Sequence, residues 1–121
     1  MARVAKYTAT IVTNGSQAGS ATVGPVSGHL VAVVYVKTDY ANGVDLTVSA
    51  ATGARNLLTV SAMNASATYY PLALAQGSAD GANLTAIYTR IPLADETVTL
   101  TIAQGGPTKT GTFHVYVEGT P

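Results

Sequence analysis

Period-two alternation of apolar and small polar side chains runs through most of this 121-residue chain. A β-strand turns successive side chains to opposite faces, so such alternation is what a strand with one buried face requires. Tyr7, Ala9 and Ile11 alternate with Thr8, Thr10 and Val12, and Val44, Leu46 and Val48 with Asp45, Thr47 and Ser49. Leu58, Val60 and Ala62 set against Thr59 and Ser61 form a third run, and Leu84, Ala86 and Tyr88 against Thr85, Ile87 and Thr89 a fourth. Val98, Leu100 and Ile102 face away from Thr97, Thr99 and Thr101, and Phe113, Val115 and Val117 from His114, Tyr116 and Glu118. The segment from His29 to Lys37 is apolar nearly throughout, which predicts a central strand covered on both faces.

Turn chemistry punctuates these runs. Asn14-Gly15, Asn42-Gly43 and Thr52-Gly53 supply residues that tolerate positive φ. Pro92, lacking a donor, is expected to end the ladder after Ile91. Gln104-Gly-Gly-Pro107 is expected to join the last two runs as a hairpin. Ser16 to Gly28 is small, polar and broken by Gly24-Pro25, and reads as a loop or extended arm. Seven strands at near-regular spacing favour an all-β fold, an antiparallel β-sandwich or jelly-roll-like barrel in a single domain. On this reading residues 1–27 form an N-terminal strand or arm with its linker, and residues 28–121 the sandwich.

Composition then bears on what such a domain does. Only 10% of residues are charged, against about 25% in an average soluble domain. Twenty Ala and eighteen Thr take much of the place of charge. Six Lys+Arg balance six Asp+Glu, with no basic cluster, so nucleic-acid binding is not expected. A weakly charged exterior costs little to desolvate on docking, which favours an oligomer or a subunit of a larger assembly. No run approaches the ~20 apolar residues of a helical membrane span, and residues 1–10 lack the apolar core of a signal peptide. Neither a membrane location nor secretion is expected. The absence of Cys excludes disulfides and thiolate metal sites.

No motif of catalysis stands out. Phosphate-cradling glycine loops, H-E-x-x-H and G-x-S-x-G are missing. His29 and His114 each sit in a strand pattern, and Asp39, Asp45, Asp95, Glu96 and Glu118 at turns or on strands. Asp80-Gly81-Ala82-Asn83 offers too few oxygens for calcium and fits an Asx-type turn. No enzyme activity, metal or cofactor is expected.

Seven tyrosines against one Phe and no Trp direct attention to interfaces, because tyrosine combines stiff contact area with a polar tip. Tyr69, Tyr70 and Pro71 lie in the least patterned stretch, as a core plug or an interface anchor; stacking on carbohydrate is an alternative use of the pair. Arg3, Lys6 and Tyr7 mark the N-terminal segment, read either as an arm reaching a neighbouring subunit or as the first strand of the domain's own sheet.

From Gly28 onward the order of features resembles a family of small virion structural proteins of tailed bacteriophages. The matching features are the apolar strand entering Lys37-Thr38-Asp39, Val44-Asp45-Leu46-Thr47, Asn56-Leu57-Leu58-Thr59, Tyr70-Pro71 and the Asp80-Gly81 loop. Ile91-Pro92-Leu93-Ala94-Asp95-Glu96, Val98 to Ala103, Gln104-Gly105-Gly106 and Gly111 to Val117 continue the order. The resemblance implies an auxiliary particle protein, such as a cement or decoration protein on the capsid exterior. It would lie in the virion, be made in the host cytoplasm, self-associate (as a trimer over a lattice three-fold) and bind the major capsid protein or other virion proteins. A minor protein of tail or neck is the alternative within the same family.

Overall fold

A computed structural model describes residues 3–51, 55–76 and 81–119. The Thr52-Gly53 turn and Asp80 lie outside them. The described residues hold nine strands and no helix. They are β1 (Arg3–Val12), β2 (Gly19–Lys37), β3 (Val44–Ala50), β4 (Arg55–Met63), β5 (Ala67–Tyr69), β6 (Ala73–Gln76), β7 (Asn83–Thr89), β8 (Pro92–Ala103) and β9 (Thr110–Gly119). The fold is all-β and antiparallel. Seven strands form the main sheet in the order β1-β9-β2-β8-β3-β4, with β5 added along β2, while β6 and β7 form a separate two-stranded sheet.

The alternation does what it predicts. Val44, Leu46, Val48, Val98, Leu100, Ile102, Phe113 and Val115 are wholly buried, and the intervening Thr47 and Thr101 are exposed. The main sheet closes over this core by folding back on itself at β2. The first half of β2 pairs with β8, from Gly19↔Ile102 to His29↔Pro92, and the second half pairs with β9, from His29↔Glu118 to Lys37↔Gly111. A straight strand of this length would separate its ends by roughly 60 Å. Yet both ends of β2 arrive at Ile11. Lys37 lies opposite Gly111, itself opposite Ile11, and a Cβ on Gly19 would touch the Ile11 side chain. β2 therefore turns the corner between two facing half-sheets, β5-β2-β9-β1 and β2-β8-β3-β4. Its register with β8 shifts twice, between Val23 and Val26 and between Val26 and Gly28, as corner strands do through bulges. The Gly24–Pro25 peptide in this stretch is cis.

Four features differ from the sequence reading, each for a physical reason. Ser16 to Gly28 is not a loop: from Gly19 it is strand, with Val23 and Val26 buried and Ser20 and Thr22 exposed. Its small residues and Gly24-Pro25 belong to the corner rather than to a linker, and the division expected at residue 28 falls inside β2. The final two strands do not form a hairpin, because β2 lies between β8 and β9 and the 104–109 connection passes from one half-sheet to the other. The Asn14 turn exists, its side-chain oxygen accepting the N–H groups of Ser16 and Ala18 at 2.8 and 3.2 Å. The strands it joins, however, both pair with β9 rather than with each other. Finally, β7 leaves the main sheet, and β5 and β6 are short strands whose runs carry too little alternation to be read locally.

Three aromatic rings fill the centre. Tyr35 stacks on Phe113 with centroids 5.2 Å apart, and Tyr40 stacks on Tyr35 at 6.0 Å. The Tyr40 ring occupies the space that a side chain on Gly111 would need. Burial pushes both phenols up from the usual tyrosine range, with neighbouring Tyr69 adding to the effect at Tyr35. The two hydroxyls are not equivalent. Tyr40 Oη donates to the Ile11 carbonyl at 2.6 Å, whereas Tyr35 Oη is buried and has no hydrogen-bond partner among the described residues. Tyr40→Phe is therefore expected to cost about 1–2 kcal/mol, and Tyr35→Phe to leave stability unchanged or raise it by up to about 1 kcal/mol. Urea titrations of both variants check this; equal losses would show that the Tyr35 hydroxyl is satisfied in solution.

Candidate functional site

The residues singled out in the sequence fall into two groups, on opposite edges of one half-sheet. β1 pairs with β9 of its own chain over ten consecutive residues, from Arg3↔Gly119 to Val12↔Thr110, so the N-terminal segment is a strand of the domain's own sheet. Lys6 points outward and Tyr7 is half-buried against the core. Across the sheet, Tyr7, Val115, Val33 and Tyr69 share one row. Three strand spacings, about 14 Å, separate the two tyrosine positions, which do not form one site.

Tyr69, Tyr70 and Pro71 divide their roles. β5 pairs Tyr69 with Val33 and packs its ring on the core, and Pro71 is buried. Both are structural. Tyr70 is 69% exposed. Pairing on β2 turns alternate residues of this segment inward, so Tyr70, between two anchored neighbours, is held facing outward. Beyond it, β6 and β7 pair apart from the main sheet, and Leu72, immediately before β6, and Tyr88, on β7, are 53% and 59% exposed. Leu74↔Tyr88 pairing sets the register of this hairpin. Tyr70, Leu72 and Tyr88 are half of the large apolar side chains exposed among the described residues; the others are Val4, Val12 and Val36.

Between the hairpin and the main sheet lies an open cleft of about 540 Å³. Ala73, Gln76 and Thr89 line one side, and Arg55, Leu57 and Ile91 the other. At its base Arg55 Nη2 meets Glu96 Oε2 at 2.7 Å, Arg55 Nη1 donates to the Pro92 carbonyl at 2.9 Å, and the Ala94 N–H donates to Glu96 Oε2 at 2.9 Å. Glu96, read from the sequence as a strand-edge residue, is thus a buried carboxylate held by a guanidinium and an amide.

Four other titratable side chains bond across strands or turns. Asp45 accepts the Ala62 N–H, Asp39 the Thr110 N–H, and Glu118 pairs with Arg90 at 2.7 Å. His114 Nδ1 bonds the Thr8 hydroxyl at 2.9 Å. Among the described residues no three His, Cys, Asp or Glu side chains come together. The arrangement offers an apolar contact surface beside a largely apolar cleft that carries Arg55, Gln76 and Thr89 on its walls. Leu72 and Tyr88 escaped the sequence reading because alternation marks a strand without saying whether its apolar face is covered; the adjacent Tyr69-Tyr70-Pro71 was the available signal. No protein-family model matches this sequence, and no curated protein matches it significantly.

Proposed function

We propose that this chain is a non-catalytic structural protein of a tailed-phage virion, a capsid cement or decoration subunit that acts as an oligomer. The observation that carries this reading is the exposure of Tyr70, Leu72 and Tyr88 on and beside a two-stranded projection. A hairpin of that size gains little stability from itself, and large apolar groups held in water on it are best explained by a surface that covers them. The resemblance in the order of strand starts and turns, from Gly28 to Val117, supplies the virion context. The 10% charge content keeps the cost of docking low. Repetition over a lattice turns modest single contacts into high occupancy.

Added to bare phage heads, the protein is expected to bind and raise their melting temperature by mass action. Tyr70→Ser with Tyr88→Ser should weaken head binding by about tenfold or more, since exposed tyrosines are typical interface anchors, while circular dichroism stays unchanged. Heads that bind no protein, or melt unchanged at saturation, would remove the cement role. Localisation on tail or neck by electron microscopy would move the same docking surface to the alternative site. The exposed tyrosines beside a cleft that offers Arg55, Gln76 and Thr89 as hydrogen-bonding groups also suit a carbohydrate-binding module. Glycan-array binding lost in the same double variant would favour that reading instead.

A further inference from the structure

We infer that Asn14 is a self-modifying residue: in the turn between β1 and β2 the Gly15 amide attacks the Asn14 side chain, and a neutral amide becomes a carboxylate. The Gly15 nitrogen bonds to Asn14 Cγ and gives up its proton, and the side-chain nitrogen leaves as ammonia. Water then opens the cyclic imide at either carbonyl, to aspartate or to its β-linked isomer. Nothing is oxidised or reduced. The step needs a free nucleophile, a polarised carbonyl and open access, and this turn supplies each. The Gly15 N–H has no hydrogen-bond partner among the described residues. Gly15 has no side chain to obstruct the approach, and a Cβ there would meet nothing within 4 Å. Asn14 Oδ1 accepts the Ser16 and Ala18 N–H groups at 2.8 and 3.2 Å. Negative charge develops on that oxygen as the nitrogen adds, and backbone donors already aimed at it hold the charge as an oxyanion hole does. Asn14, Gly15 and Ser16 are all exposed, so water enters and ammonia departs freely.

A second Asn-Gly pair, Asn42-Gly43, is an internal comparison. Its carbonyl is polarised too, because Asn42 Oδ1 accepts from Lys37 Nζ at 2.6 Å. Its nucleophile is held. The Gly43 N–H donates to Asn64 Oδ1 at 2.8 Å and to the Met63 carbonyl at 3.1 Å, and must leave both before it can lose its proton and attack. The fold thus separates two pairs that the sequence writes alike. Conversion at Asn14 takes the formal net charge from zero to one negative unit, in a chain with few charges. The β-linked isomer also lengthens the backbone inside a turn whose Asn14 carbonyl accepts the Gln17 and Thr108 N–H groups, the latter in the connection from β8 to β9.

The inference is independent of the virion reading, since it is tested on the purified full chain. The folded protein is held at mildly alkaline pH and digested at intervals, and the Asn14 and Asn42 peptides are followed by mass spectrometry. An isoaspartate-specific methyltransferase marks the β-linked product. A parallel sample in concentrated urea gives the rate of each pair without the fold. In urea the two pairs should convert at similar rates. In the folded protein Asn14 should convert at least as fast as in urea and about tenfold faster than Asn42, the factor expected when the Gly43 hydrogen bonds must first be released. Asn14 converting more slowly folded than unfolded would show that the turn protects the residue, and overturns the inference. So does a folded protein in which Asn42 keeps pace with Asn14. None of these outcomes bears on whether the chain occurs in virions.

Discussion

Gly28→Ala is expected to destabilise the protein by about 3–5 kcal/mol, a large part of the ~5–15 kcal/mol that holds a domain folded. Gly28 sits at the corner of β2 with a φ of 134°, a conformation that L side chains rarely adopt. That strain alone costs ~1–3 kcal/mol. A Cβ there would also run into the Glu118 carbonyl, in the strand that β2 has just joined. Relief requires β9 to move, and β9 carries Phe113, Val115 and Val117 into the core. Gly15→Ala is the control: it lies in the Asn14 turn with open space around it and should change stability by less than about 0.5 kcal/mol. Urea unfolding of the two variants makes the comparison. A loss below about 1 kcal/mol at Gly28 would mean that the corner can be made without this backbone conformation.

The second large effect lies at the base of the cleft and is asymmetric. The Glu96 side chain is 4% exposed and that of Arg55 36%. Arg55→Leu leaves a buried carboxylate without its guanidinium and should cost about 3 kcal/mol. Glu96→Leu leaves a guanidinium that can turn to water, and should cost about half as much. The double variant, with apolar groups at both positions, should return to within about 1 kcal/mol of the parent, because an ion pair taken out of water gains little over well-packed hydrocarbon. A double-mutant cycle in urea measures the coupling directly. Additive losses would show that the two side chains stabilise the fold independently.

The contrast between these sites shows what could be read locally. Every alternating run became a strand, and residues such as Leu46, Leu100 and Val115 are buried as their period requires. Turn residues were legible for the same reason: Asn14 bonds backbone groups two and four residues on, an interaction contained within the segment. The tyrosine pair at 69–70 was recognisable as a choice between core and interface, and pairing with Val33 assigns one residue to each. Glu96 gave no sign of its burial, since its partner Arg55 lies forty-one residues away in the chain.

The chain by itself thus determined that it would be an antiparallel β protein with one apolar face to most of its strands, because alternation and turn chemistry act between near neighbours. Tertiary structure decided which strands meet. A strand edge offers the same backbone groups to any partner, so nothing local tells β9 to take β1 on one side and β2 on the other, or tells β2 to bend at Gly28 and serve both half-sheets. It also decided which apolar residues stay in water: Tyr88 and Leu100 sit in equally regular patterns, and only the placement of β7 outside the main sheet leaves one exposed and the other buried.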